Sequence, residues 1–225
     1  MIQLENLTKA YWYHGKPKFI ARDLSAVIPD GARVALMGRN GAGKSTLLQM
    51  IAGSINPAKG RIKVTGSLSW PIGLTGCVQG ELTGAQNVRF LARVYGVDTE
   101  QLIAFVEEFA ELGMNFYESV RNYSSGMRGR LNFGMSMGIR FDTYLIDEVS
   151  ATGDAAFRGK STKVFEDRLS NAGLVMVSHS DGLVRAMCTS GAVLENGAIT
   201  FYDDVEEAIE VHNRNMRGGL RRAAE

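Results

Sequence analysis

The run Gly38-Arg39-Asn40-Gly41-Ala42-Gly43-Lys44-Ser45, followed by Thr46, satisfies the pattern G-x-x-x-x-G-K-[ST] in full. Glycines at these spacings let the backbone curl until successive N–H groups point at one anion. A helix starting just after the loop aims the positive end of its dipole at the same place. Lys44 supplies a point charge for β- and γ-phosphates, and Ser45 a hydroxyl for Mg²⁺. This chemistry is nucleoside triphosphate binding, which kinases, GTPases, helicases and transport ATPases share, so the loop alone does not fix the reaction.

Two further strand ends carry groups suited to phosphate chemistry. Thr143-Tyr144-Leu145-Ile146 is an apolar run that ends in Asp147-Glu148. In a parallel sheet, beside the strand that feeds the loop, Asp147 would emerge near Mg²⁺ and Glu148 near the γ-phosphate. Asp147 would then hold the metal, and Glu148 would orient or deprotonate the attacking water. Leu174-Val175-Met176-Val177-Ser178 leads to His179, one of only three histidines. A strand neighbouring the Asp147 strand would let His179 reach the same γ-phosphate. Tyr123-Ser124-Ser125-Gly126-Met127-Arg128 reads as a serine-capped helix start, which also makes an anion site of exposed N–H groups and a hydroxyl. Because the chain already has one phosphate loop, this second site is best explained as serving a nucleotide held by another subunit.

These groups need a sheet to hold them. Arg33 to Met37 reads as a short buried strand ahead of the loop, and 44–52 as an apolar-faced helix behind it. Further strands are expected at Ile2 to Leu7, Leu24 to Ile28, Ile62 to Val64, Thr143 to Ile146, Leu174 to Val177, Ala192 to Leu194 and Ile199 to Tyr202. Residues 86–95 and 99–111 have helical spacing, with Leu102, Ile103, Val106, Phe109 and Ala110 on one face. More helices are expected from about Ser125, from Ala156 to Leu169 and from Asp204 to Val211. Strand–helix–strand alternation implies a parallel sheet with crossover helices. The helical block inserted near 84–140 is the unusual feature.

Composition narrows the classes. A chain of 225 residues with 25 basic and 24 acidic side chains has a net charge of +1, which argues against nucleic-acid binding through bulk electrostatics. Cys77 and Cys188 are too few for a disulfide scaffold and lack metal-site spacing. The first residues show no basic region followed by an apolar core, and no apolar run approaches the ~18 residues of a membrane span. The expectation is therefore a protein without a leader or a membrane span of its own.

With these pieces in order, the chain resembles the nucleotide-binding subunits of ABC transporters over nearly its whole length. Gly38 to Thr46 match the Walker A loop, Ser124-Ser125-Gly126 the core of the signature, and Leu145 to Glu148 the Walker B strand with its glutamate. Ala151-Thr152-Gly153-Asp154 match the D-loop, His179 the switch histidine, and Tyr11 the aromatic that stacks on adenine. Gln79 stands near the place of the Q-loop glutamine, a Mg²⁺ and water ligand. It lies only four residues before Thr83, closer than is usual. The signature also departs from LSGGQ, with Tyr123, Ser125 and Met127 where Leu, Gly and Gln are usual.

Within the superfamily the chain is similar to ATPases that export bacterial capsular polysaccharide. Ser69 to Leu74, Gln79 to Gly84, Tyr123 to Arg128 and Asp147 to Asp154 carry that likeness, and ATPases for O-antigen and teichoic acid share much of it. The resemblance implies an α/β P-loop NTPase of ABC type: a mainly parallel sheet core, an antiparallel β subdomain and an inserted helical subdomain. Residues 1–225 would form one ABC ATPase domain, with 1–83 and 141–225 as RecA-like core and β subdomain, and about 84–140 as the helical part with the signature. It implies ATP and Mg²⁺ as cofactors and a head-to-tail homodimer with two ATPs at its interface. It also implies a separate integral membrane permease dimer, with periplasmic and outer-membrane export proteins beyond it, and no nucleic acid. The place of action would be the cytoplasmic face of the bacterial inner membrane. The alternatives are an exporter of O-antigen or teichoic acid and a soluble ABC ATPase outside transport.

Overall fold

A computed structural model describes residues 1–13, 15–72, 78–148 and 155–222. The chain divides into two compact units. The first comprises Met1–Ile72, Phe141–Val149 and Asn171–Glu225, and the second Gly73–Arg140 and Ser150–Ser170. In chain order the elements begin with β1 (Ile2–Tyr13), β2 (Lys16–Ile28), β3 (Arg33–Met37), α1 (Lys44–Ile51) and β4 (Lys59–Val64). There follow α2 (Gly84–Tyr95), α3 (Thr99–Ala110), α4 (Ser125–Gly138), β5 (Thr143–Asp147), α5 (Ala155–Leu169) and β6 (Gly173–Val177). The chain ends with α6 (Asp181–Met187), β7 (Ser190–Glu195), β8 (Ala198–Tyr202) and α7 (Val205–Arg222).

The first unit holds two sheets. One is antiparallel, in the order β2-β1-β4; the other has the order β5-β6-β3-β7-β8 and is parallel except for β8. Every residue of β5 and β6 is buried, as is the strand β3 beyond Arg33. Continuous apolar runs of this kind mark strands covered on both faces. Ile2, Leu4 and Leu7 of β1 share a core with Leu47 and Leu48 of α1 and with Val175 and Leu194 of the second sheet. Cys188 is buried in this unit, and burial pushes its thiol up to about 12, which makes it inert.

The strand order corrects one expectation. β5 is not beside β3, because β6 lies between them and pairs with both. All three strands are short buried apolar runs, so their composition does not say which is central. Pairing does: Val34 and Ala35 sit opposite Val175 and Met176, which in turn face Leu145 and Ile146. The loops after β3, β5 and β6 therefore leave from the same edge, the C-terminal edge where open α/β sheets bind ligands.

Three elements are much longer than the sequence reading expects. β1 and β2 continue past Leu7 as a two-stranded arm that pairs Ala10 with Phe19 and Tyr11 with Lys18. Register shifts interrupt the pairing, and Asn6 and Asp23 both take a left-handed conformation (φ 49° each), their side chains joined at 3.0 Å. Helix α7 runs to Arg222 instead of ending near Val211.

The second unit is helical. Thr83 and Gln86 form a reciprocal capping box at the start of α2, and Asp98 caps α3. Its core is aromatic: Phe109 lies 5.7 Å from Phe133 and 5.2 Å from Phe157, ring centre to ring centre. Helices α3 and α4 approach closely because Gly134 and Gly138 have no side chains. A Cβ on Gly138 would sit 2.4 Å from Leu102 Cδ1.

Candidate functional site

Gly38 closes β3 so tightly against β7 that a Cβ there would lie 2.5 Å from the Leu194 carbonyl oxygen. Gly43, the residue before α1, has φ 106°, and a Cβ on it would collide with Ile20. Glycine is thus required at both ends of the loop by the surrounding strands. Helix α1 begins with no side-chain cap and no acid in its first turn. Its first N–H groups and the positive end of its dipole remain available to an anion.

Lys44 is buried at this helix start, and its Nζ donates to the Gly38 and Arg39 carbonyl oxygens at 2.7 and 3.2 Å. Burial pushes its pKa down, while Asp147 and Glu148 act in the opposite direction. The ammonium is therefore held at the mouth of the loop by carbonyls that a phosphate could replace. Ser45 follows it and is exposed.

Asp147 ends β5 buried, with its N–H donating to the Ile72 carbonyl at 2.9 Å. The next residue breaks the strand: Glu148 takes φ 52°, anchored through its N–H on the Val177 carbonyl at 3.0 Å. Left-handed backbone at a non-glycine residue is a store of strain. Here it turns the Glu148 carboxylate out of the sheet plane and into solvent. His179, two residues past β6, brings Nε2 to 3.9 Å from Glu148 Oε1. That is near, but too long for a hydrogen bond. The first unit thus brings Lys44, Asp147, Glu148 and His179 to one sheet edge. Tyr11 lies on the β1–β2 arm, opposite Lys18 and partly exposed, with Lys9 Nζ 5.5 Å from its ring centre.

The other candidates belong to the second unit. Ser124 caps α4, its hydroxyl accepting from the Met127 N–H at 3.2 Å, and this helix too has no acid in its first turn. Ser125 and Gly126 form that turn. A Cβ on Gly126 would meet nothing closer than Ser124 Oγ at 3.9 Å, and its φ is not left-handed. Nothing described in its own chain requires glycine there. Tyr123, the departure from the usual signature leucine, is a core residue whose hydroxyl donates to the Asn115 carbonyl at 2.6 Å. Gln79 is exposed, and its backbone is clamped by the buried Asn87, whose Oδ1 accepts from the Gln79 N–H at 2.8 Å. Asp154 lies outside the described residues.

Sequence reasoning missed Asn87, Lys18 and Arg214. Asn87 is a buried polar residue on the apolar face of a helix, which was the available signal. Lys18 could be found only from the cross-strand register. Arg214 lies on a length of α7 that the apolar periodicity does not reach.

The family model for ABC transporters matches residues 21–151. The chain is 46% identical over 213 residues to an Escherichia coli polysialic acid transport ATP-binding protein, KpsT, covering 93% of this chain and 95% of that one. It is 41% identical to the capsule polysaccharide export ATP-binding protein CtrD of Neisseria meningitidis, covering 95% and 99%. A teichoic acids export ATP-binding protein, TagH of Staphylococcus haemolyticus, is 37% identical over 88% of this chain and 76% of its own. Among solved structures, a dimeric ATP-binding cassette in a post-hydrolysis state with ADP and Pi aligns with a TM-score of 0.74 and 19% identity. It covers 90% of this chain and 98% of that one. The expected α/β fold with a parallel core, an antiparallel sheet and a helical part is the fold observed.

Proposed function

Because this chain belongs to the ABC transporter family and is an ATPase of it, we propose that it is the motor subunit of a capsular polysaccharide exporter. The observation that carries this reading is the 38–46% identity, over nearly the full length of both chains, to proteins named for capsule or polysialic acid export and to BexA. Likeness to the teichoic acid proteins is lower.

In this reading Tyr11 stacks on adenine, and the N–H groups of Gly38 to Thr46 wrap the phosphates while Lys44 turns from its loop carbonyls onto the γ-phosphate. The hydroxyl of Ser45 and the carboxylate of Asp147 are hard oxygen donors, the kind a magnesium ion takes; Gln79 would be a third. Bound Mg²⁺ would neutralise charge developing between the β- and γ-phosphates. Glu148 accepts the proton of the attacking water and orients it, and His179 steadies the γ-phosphate from the neighbouring strand.

Ser124, Ser125 and Gly126 act on the nucleotide of a second copy, head to tail. The open space at Gly126 supports this, since a glycine unused by its own chain is free for a close approach from outside. Mixing tests it. Lys44→Ala chains and Ser124→Arg chains should each be inactive alone, whereas their mixture recovers turnover from one intact composite site per heterodimer. Failure of the mixture to exceed either variant would overturn the trans arrangement.

Closure on ATP and opening after hydrolysis would drive an integral membrane permease dimer, docked on the helical block near 84–140, at the cytoplasmic face of the inner membrane. Periplasmic and outer-membrane proteins would complete the export path. No described helix is long and apolar enough to cross a membrane, which supports a permease on another chain. Complementation tests the whole reading. A strain lacking its capsule-export ATPase should regain surface polysaccharide when given this chain with its own permease, and not when Glu148 is Gln. Restored O-antigen or teichoic acid export, with no capsule, would favour those substrates instead.

A further inference from the structure

Beside the phosphate loop, within the first unit, lies a groove of about 970 Å³, the size of a small-molecule site. It is lined by Arg39–Ala42 of the loop, by Lys18 and Arg22 of β2, by the β7–β8 turn, which Arg22 meets through its N–H on the Gly197 carbonyl at 2.8 Å, and by Arg214 and Asn215 of α7. Four cations line it: Lys18, Arg22, Arg39 and Arg214. None of them makes an ion pair among the described residues. Arg22 packs its guanidinium on the Phe19 ring at 4.1 Å. Glu195 is the one carboxylate in the groove, and Asn215 Nδ2 donates to it at 3.0 Å. Like charges gathered along one groove repel one another even where they are exposed, and an anion relieves that repulsion.

The position of α7 is fixed independently. The helix seats Ala208 against Gly191 of β7, where a Cβ on the glycine would stand 2.3 Å from Ala208 Cβ. One turn on, the same face carries His212, and the next turn Asn215. His212 is half-buried, and burial pushes its pKa down, with the Lys44 and His179 charges adding in the same direction and Asp181 and Glu195 opposing. The face of α7 that packs on the sheet therefore carries His212 within the field of the phosphate-loop lysine, while Arg214 stands off that face and lines the groove.

We propose that α7 borders the nucleotide site and that Arg214 supplies a cation to the triphosphate, together with Lys18 and Arg39 of the same groove. This rests on reading Gly38 to Thr46 as the nucleotide loop. Arg214 is exposed and at a helix surface, so its removal leaves the core intact.

The test is equilibrium binding of ATP, AMP and inorganic phosphate to the full chain with Mg²⁺, in a Glu148→Gln background so that nothing is hydrolysed. Arg214→Ala should raise the ATP dissociation constant roughly tenfold, the usual worth of a charge-assisted hydrogen bond. AMP binding should be unchanged, and Arg214→Lys should recover part of the loss. The rise in melting temperature on adding ATP should shrink likewise, while the melting temperature without nucleotide stays the same, which a merely structural role would not produce. Unchanged ATP binding by Arg214→Ala, with binding lost in Lys44→Ala, would overturn the proposal and leave the loop reading standing. Unchanged binding in both would overturn the loop reading itself. Loss of inorganic phosphate binding alone, with ATP unaffected, would make the groove a separate anion site and also overturn the proposal.

Discussion

Glu148→Gln should cut ATP turnover by roughly 10²–10⁴-fold, the usual worth of a positioned acid–base group, while leaving ATP binding in place. The amide has the size and shape of the carboxylate but cannot accept the water's proton. Folding should be unaffected, because glutamine tolerates the left-handed backbone of position 148 (φ 52°) no worse than glutamate does. The variant should also accumulate as a closed dimer in ATP, visible by size-exclusion chromatography. A variant that hydrolyses at the parent rate and stays monomeric would remove Glu148 from the mechanism. Glu148→Gly separates strain from chemistry. It relieves a backbone cost of about 1–3 kcal/mol, so it should melt higher than the parent while being as inactive as the glutamine variant. A residue kept where it destabilises its own fold is understandable if the strain aims its carboxylate at a reacting group.

The features legible in the sequence are those set by spacing along the chain. The loop from Gly38 to Ser45 is legible because one anion demands glycines and a lysine at fixed separations. Helix α3 is legible because Leu102, Ile103, Val106 and Phe109 recur on one face, and the structure ends it within a residue of the expected place. The illegible features depend on partners distant in sequence. The outer part of the β1–β2 arm, Tyr11–Tyr13 and Lys16–Lys18, is exposed, so it lacks the apolar alternation that marks a half-buried strand. The order β5-β6-β3 comes from pairing among three equally apolar strands. Tyr123 departs from the family pattern because it serves the helical core: its hydroxyl lies where a Cβ on Gly84 would be 2.6 Å away, so a glycine and a tyrosine remote in sequence share one space. For the candidate site the same division holds. The residues supplied by strand ends were readable, and Arg214, which reaches the groove only because α7 packs on the sheet, was not.

Lys44→Ala should weaken ATP binding by roughly 10²-fold or more, because two charge-assisted hydrogen bonds to phosphate oxygens are lost together. The free protein should not be destabilised in proportion. The ammonium is buried against its own loop, and burial disfavours its charge. Its two contacts are the carbonyls of Gly38 and Arg39, and Arg39 is exposed, so water can take the place of the ammonium there. The melting temperature without nucleotide should therefore stay near that of the parent, or rise. The gain on adding ATP should disappear; in the parent that gain is worth about 2.7 kcal/mol at a ligand concentration one hundred times the dissociation constant. Lys44→Met, which keeps the apolar stem without the charge, should behave as the alanine variant does and so exclude a cavity as the cause. A Lys44→Ala protein that still shows the parent's ATP-induced rise would mean that the loop does not hold the γ-phosphate through this side chain, and the roles of Glu148 and His179 would fall with it, since both are placed by reference to that phosphate.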